Sequence, residues 1–425
     1  MEKSVIKSSR LGESYIKIKH DTGLTILLYP MCNYSTVYAT FGTKYGSIDT
    51  KFKTQKDSEF ITVPEGIAHY LEHKLFENED CDAFVKYAKT GANANAYTSF
   101  EKTTYLFSCS DNFYDSLEIL LDFVQHPYFT EATVQKEQGI IGQEIKMYDD
   151  VPTMKLFYNL LDCLYVNHPV KIDIAGTVES IAKIDADLLY KCYNTFYNLN
   201  NMVLSVAGNF NVEKTLEIIE KNIIKREKIE ITRGDFSEPR EINKKFATAK
   251  MPISVPMFAI GYKAEALSGE AELRAIYEAK IASEIIVGNG SQLNKKLYDS
   301  GLINENFEIE IFSGNGYFSV LFEGESSDPQ KVYDLIDEEI EKVKKNGFDK
   351  EDFAAQKKAA YGEQIKIFNN VSDVAEEMQE TEFRGLGVYD SIELLEKMTY
   401  DDVMNRINIV FDKKYSAIST ITSSI

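Results

Sequence analysis

Five consecutive residues, His69-Tyr70-Leu71-Glu72-His73, place the tightest restriction on what this chain can fold into. They read H-x-x-E-H. Two imidazoles four residues apart can serve one ion only if the backbone between them is helical, because helical positions i and i+4 share a face. Glu72, one residue before the second histidine, then stays close to that ion. With 5 His and 67 acidic residues in 425 positions, chance supplies such a pattern about 0.01 times per chain. A lone histidine usually means packing in a core or at a surface, but spacing and downstream context together point to a metal site.

The flanks read as a helix. Pro64-Glu65-Gly66 form an entry that a first turn tolerates, and Ile67, Leu71, Leu75 and Phe76 make an apolar stripe. His69, Glu72 and His73 fall beside that stripe, which places a metal at the floor of a cavity. Asn78-Glu79-Asp80 ends the segment.

A catalytic zinc site needs a third protein ligand and keeps a further position open. Residues 130–150, TEATVQKEQGIIGQEIKMYDD, read as a second helix, with Thr130 as N-cap and a stop at Asp150-Val151-Pro152. Glu137 and Glu144 lie seven residues apart, two helical turns, and share a face. Ile140, Ile141, Ile145 and Met147 supply packing around them. Gly139 and Gly142 each cost about 1 kcal/mol relative to Ala in a helix interior, so they predict close approach by another backbone. An ordinary exposed acidic face is the competing reading of the two glutamates.

With these motifs in place the chain resembles the inverzincin peptidases, the pitrilysin, insulysin and mitochondrial-processing-peptidase group (M16). That family pairs H-x-x-E-H with a Glu some seventy to eighty residues on and another Glu seven before it. Glu144 stands 71 residues after His73. The likeness extends to Gly91-Ala92-Asn93-Ala94-Asn95-Ala96-Tyr97-Thr98, which is similar to the family's strand entry. It continues in His168-Pro169, Ile174-Ala175-Gly176-Thr177 and Asn201-Met202-Val203-Leu204 leading to Gly208-Asn209-Phe210. The wording HKLFE and KEQGIIGQEIKMYDD most resembles a bacterial subgroup associated with aminopentanol-type modification of elongation factor P.

The resemblance implies roles that the residue chemistry supports. His69, His73 and Glu144 would bind Zn²⁺. Glu72 would act as general base, taking the proton of the attacking water and passing it to the leaving amine. Glu137 would orient a ligand or the water. Asn95 and Ala96 would lie on an edge strand that takes up peptide by β-augmentation, where backbone hydrogen bonds bind with little regard for sequence.

The chain exceeds what one core serves and suggests two or more domains. A formal net charge of −20 argues against a nucleic-acid surface. No apolar run follows the start MEKSVIKSSR, and no stretch approaches eighteen apolar residues, which predicts neither signal peptide nor membrane span. Cys32, Cys81, Cys109, Cys163 and Cys192 are odd in number and scattered, so they read as buried thiols of a cytoplasmic protein rather than metal ligands.

A weak internal repeat lays residues 84–107 on 294–318, with Gly91 and Gly301 separated by 210 positions, close to half the chain. The expected architecture is α+β: two homologous domains with antiparallel-rich sheets forming a clamshell, 1–225 carrying the zinc site and 247–425 without metal ligands. The charged segment 226–246 is the expected linker.

The second half carries no histidine. Relatives that act as peptidases often place an Arg and a Tyr there in a pattern resembling S-x-L-x-x-x-L-R…G-L-x-Y. Here Tyr298 stands for the Arg and Asn304 for the Tyr, with Tyr298 left as the substrate-binding candidate. The expected function is a zinc endopeptidase or oligopeptidase acting on unfolded peptides of limited length. The alternative is a weakly active or inactive peptidase-like subunit that binds peptides or scaffolds a complex. Relatives with subunits this short commonly work as dimers, so the resemblance, with the missing groups, implies a homodimer or a heterodimer with a metal-free paralogous subunit.

Overall fold

In the computed structural model, which describes residues 2–424, the alternating runs of the first half become strands. They are β1 (Glu2–Lys7), β2 (Ser14–Lys19), β3 (Thr25–Pro30), β4 (Val37–Thr43), β5 (Lys51–Thr54), β6 (Ile61–Thr62), β7 (Asn93–Thr98), β8 (Thr103–Cys109), β9 (Met202–Gly208) and β10 (Ile231–Arg233). A seven-stranded sheet has the order β1-β2-β3-β9-β4-β8-β7, and a small one the order β10-β5-β6. Every pairing in the large sheet is antiparallel except β3 with β9. Beside it lie helices α1 (Ile67–Leu75), α2 (Ala83–Thr90), α3 (Phe113–Gln125) and α4 (Glu131–Asp149).

The second half repeats the plan. β11 (Phe246–Met251), β12 (Met257–Lys263), β13 (Glu308–Gly314), β14 (Tyr317–Glu325) and β15 (Ser416–Ser423) form a sheet ordered β11-β15-β12-β14-β13. Its single parallel pair, β11 with β15, matches β3 with β9. Strand for strand, β3-β9-β4-β8-β7 corresponds to β11-β15-β12-β14-β13. Gly91 and Gly301 do mark equivalent places: each follows a helix (α2, and Gln292–Asp299) at φ 76 and 68 and leads to a strand pair. The α+β class with two homologous domains therefore holds, and both sheets are mixed rather than closed.

The compact units do not follow the sequential boundaries 1–225 and 247–425. One gathers the chain up to Ile145, Asp173–Asp235 and Lys366–Tyr389; the other gathers Lys146–Ile172, Phe236–Ile365 and the chain from Asp390 onward. Each half thus lends a helix to the other's sheet, and glycines make room for both. In the first unit, a Cβ on Gly42 of β4 would lie 2.6 Å from the Gln379 side chain on helix Val371–Phe383. Gln379 is fully buried but satisfied, accepting from Thr104 Oγ1 at 2.7 Å and donating to Thr40 Oγ1 at 2.8 Å. In the second unit, a Cβ on Gly261 of β12 would lie 2.6 Å from Leu164 on α5 (Pro152–Leu164).

Two further expectations are corrected. The segment 226–246 is no loose tether. In the first unit β10 pairs with β5, and Arg233 Nε donates to Asp49 at 2.6 Å. In the second, the Glu238 side chain is only 8% exposed and accepts from the backbone N–H groups of Val166, Asn167 and His168 at 2.9, 2.6 and 2.7 Å. Two of the segment's charged residues, Arg233 and Glu238, are drawn into these contacts, while Glu227, Lys228 and Glu230 stay exposed. The five cysteines are free, but only Cys109, Cys163 and Cys192 are buried, because Cys32 lies in an exposed turn and Cys81 in the half-buried segment after α1.

The Glu238 contact is large enough to measure. Its partner Lys263 is also buried, at 2.5 Å, and donates further to Pro239 O and Glu241 O. Burial alone would raise the Glu238 pKa; Lys263 and the backbone N–H groups outweigh it and hold the carboxyl below its usual value. Glu238→Ala strands a buried ammonium and three backbone donors, so we expect a loss of about 3–5 kcal/mol in denaturant unfolding. Because the folded pKa is lowered, that contribution is full above the ordinary carboxylate range and fades as pH falls through the lowered value.

Candidate metal centre

α1 buries Ile67, Ala68, Tyr70, Leu71 and Leu75, so its helical period turns His69, Glu72 and His73 away from the core but not fully into solvent. Gly66 caps it at φ 88, where a Cβ would collide with the Ala175 carbonyl. α4 follows the expected bounds within a residue, and Thr130 Oγ1 accepts from the Thr133 N–H at 3.3 Å, a capping bond. Val134, Ile141 and Ile145 anchor α4 in the core, and the Tyr70 hydroxyl donates to the Val134 carbonyl. This locks the two helices in register.

That register brings three donors together. His69 Nε2 lies 3.8 Å from Glu144 Oε1, and His73 Nε2 lies 3.4 Å from Glu144 Oε2. One atom from each of the three falls within 4.8 Å of the others, and among the described residues no other set of His, Cys, Asp and Glu does so. Ligand atoms around one tetrahedral zinc are about 3.3 Å apart, given bonds of about 2.0–2.1 Å. The observed gaps fit an ion better than direct hydrogen bonds, which would be about 2.9 Å long.

The surroundings set the ligands' protonation. Burial drives His69 down to about 3, with the charge of His73 in support, which keeps its imidazole neutral as a ligand must be. Its Nδ1 is buried without a hydrogen-bond partner. For His73, burial pulls the pKa down, but the Glu137 hydrogen bond and the charges of Glu72 and Glu144 raise it overall. Glu137 Oε1 stands 3.1 Å from His73 Nδ1, and this bond lowers the Glu137 pKa. With Nδ1–H donated to Glu137, the His73 Nε2 lone pair faces the site. Burial raises Glu72, countered by a hydrogen bond from Thr98 and by His73.

An open cleft of about 570 Å³ adjoins these residues, lined by Glu72, His73, Phe84, Asn95, Ala96 and Ile140 among others. β7 ends the large sheet and, among the described residues, pairs only with β8, so its outer edge is open to an extended chain. Asn95 is exposed, and its Oδ1 accepts from the Ala96 N–H at 2.9 Å.

His69, Glu72, His73, Glu137, Glu144, Asn95 and Ala96 thus share one unit. Tyr298 does not: it belongs to the second unit, 50% exposed on helix Gln292–Asp299. The glycine reading is also corrected, since a Cβ at Gly139 or Gly142 would meet nothing within 4 Å. Two residues escaped the sequence reading. Lys74 is fully buried and pairs with Glu77, and nothing in its residue type or spacing sets it apart from an exposed helical lysine. Thr98 closes the strand entry, and the period of two from Ala94 and Ala96 places it on the same strand face.

Known proteins bear on this geometry. The family model described as "Insulinase (Peptidase family M16)" matches residues 63–178, and that described as "Peptidase M16 inactive domain" matches 183–360. The "Uncharacterized zinc protease YmfH" of Bacillus subtilis is 37% identical over 95% of both chains. The crystal structure of a "putative M16-like peptidase" from Alicyclobacillus acidocaldarius superposes with a TM-score of 0.94 at 31% identity, covering 96% of this chain and 98% of that one. The "Probable mitochondrial-processing peptidase subunit beta" of Schizosaccharomyces pombe is 29% identical over 37% of this chain and 35% of its own.

Dialysed protein should retain about one zinc per chain. The His69→Ala, His73→Ala double variant should lose it, as one protein ligand cannot hold the ion. Glu137→Gln should weaken it by about 10–100-fold, the usual loss when a ligand's supporting partner is removed. Elemental analysis against a zinc buffer series reads both, and undiminished zinc in the double variant refutes the assignment.

Proposed function

This chain belongs to the M16 family of peptidases, and on that premise we propose that it is a zinc metallopeptidase acting on unfolded peptides of limited length. The observation that carries the proposal is the convergence of His69, His73 and Glu144, with the Glu72 carboxylate on the same helix and cleft. Zinc held by the three ligands would lower the pKa of a water and polarise the scissile carbonyl. Glu72 accepts the proton of the attacking water and returns it to the departing amine nitrogen. Glu137 holds the His73 ring in the ligating orientation. The peptide pairs with the outer edge of β7 at Asn95 and Ala96, whose backbone reads an extended chain rather than a sequence. A stably folded protein cannot offer such a segment.

Two finer readings belong with this one. The HKLFE and KEQGIIGQEIKMYDD wording supports placement in the bacterial subgroup associated with modification of elongation factor P. The free cysteines, and the lack among described residues of any helix long and apolar enough to cross a membrane, are compatible with a cytoplasmic protein.

A second reading, a subunit that turns over weakly by itself, has its own support. Tyr298 replaces the expected Arg, and Asn304, in place of the Tyr, has its amide engaged by Glu325 at 2.5 Å. One relative is named as a subunit. A homodimer, or a heterodimer with a metal-free paralogous chain, could supply the absent groups.

Glu72→Gln keeps size but cannot accept a proton, so we expect peptide cleavage to fall by about 10²–10⁴-fold or more with zinc unchanged. Cleavage of a mixed peptide library with and without chelator reads this, and a wild-type rate in the variant removes Glu72 from the mechanism. Light scattering at micromolar concentration should show association. A strictly monomeric, fully active chain refutes the assembly.

A further inference from the structure

Glu72 is the one charged group of the site whose orientation no ligand contact fixes. It extends from α1 on a flexible side chain, yet one of its oxygens is held. Thr98 Oγ1 lies 2.7 Å from Glu72 Oε2. Among the described residues this is the only hydrogen bond to that carboxylate, so Oε1 is left without a protein donor.

The direction of the bond follows from counting protons. Thr98 has one hydroxyl proton and two possible acceptors, Glu72 and Thr103 Oγ1 at 3.3 Å. Thr103 spends its own proton on the Tyr45 carbonyl at 2.9 Å. An ionised carboxylate can only accept, and 2.7 Å is the length of a charge-assisted O–H···O bond. The Thr98 proton therefore goes to Glu72. Thr98 is itself stiff, because a β-branched side chain has restricted χ1 and sits in a strand whose register to β8 is set by pairing with Thr103. Ala94 and Ala96, on its strand face, pack against the core beside α1.

We infer that Thr98 is a positioning residue for proton transfer: it clamps Oε2 of Glu72, so that Oε1 is presented to the attacking water. The clamp lies on the strand whose outer edge would take the peptide, so one rigid element sets both the path of the substrate and the aim of the base. The inference rests on the metallopeptidase reading above.

The test compares Thr98→Val, Thr98→Ala and Thr98→Ser in the full chain. Zinc content, kcat and KM on a chelator-sensitive peptide, and crystal structures of wild type and Thr98→Val are measured. Thr98→Val and Thr98→Ala should lose about 10–100-fold in kcat, with KM within about twofold and zinc unchanged, and Thr98→Ser should restore most of the rate. In the Thr98→Val crystal the Glu72 carboxylate should rotate or occupy several rotamers while His69, His73 and Glu144 stay in place. Combined with Glu72→Gln, Thr98→Val should add no further loss. A wild-type kcat, a loss confined to KM, additive losses in the double variant, or an unmoved Glu72 overturns the inference. If Thr98→Val fails to fold, the Ala and Ser pair carries the same comparison. If the wild type hydrolyses no peptide, the peptidase reading falls, and the position of Glu72 in the two crystals still decides what Thr98 does.

Discussion

The site depends on one contact between helices far apart in the chain. α1 carries both histidines and Glu72, α4 carries Glu144, and neither brings three donors together alone. The Tyr70 hydroxyl on the Val134 carbonyl, with Val134, Ile141 and Ile145 seated in the core, fixes how far α4 slides along α1. A slip of one helical turn, about 5.4 Å, would separate Glu144 from both imidazoles. Packing thus sets the geometry, and it gathers Glu72, Glu137 and Glu144 around two partly buried imidazoles, a donor set whose chemistry suits a divalent cation.

Around this contact the fold is a duplicated plan with exchanged helices. Gly42 and Gly261, on corresponding central strands, leave the hollows that Gln379 and Leu164 fill. The buried amide of Gln379 accepts from the Thr104 hydroxyl and donates to the Thr40 hydroxyl and the Val203 carbonyl. Each half taken as a sequential fragment would leave one sheet face uncovered. The three candidate metal donors all lie in the first unit, yet its sheet is packed by a segment some three hundred residues downstream.

Much of the site was legible in the residues. Two histidines at i and i+4 demand a helix, Glu137 and Glu144 at i and i+7 share a face, and the apolar stripes beside them predict which sides pack. The glycine pair at 91 and 301 disclosed the repeat because each must end a helix in the left-handed region. Other readings failed for a common reason. Gly139 and Gly142 were expected to meet a backbone, and the charged segment 226–246 was expected to be a linker. What surrounds a residue is set by distant chain. Glu238 shows it best: a glutamate in a charged run, it is buried against Lys263 and three backbone donors.

The residues by themselves determined donor chemistry and spacing within each element, since these follow from side-chain type and from periods of 3.6 and 2. Only the tertiary structure decided which elements meet. That Glu144 faces His73 at 3.4 Å, that Glu137 takes the Nδ1 of the same ring, and that the Thr98 hydroxyl donates to Glu72 at 2.7 Å are facts of packing between segments 26 to 71 residues apart. Local propensity cannot encode such distances, because they come from the shape of the core that all of these segments share.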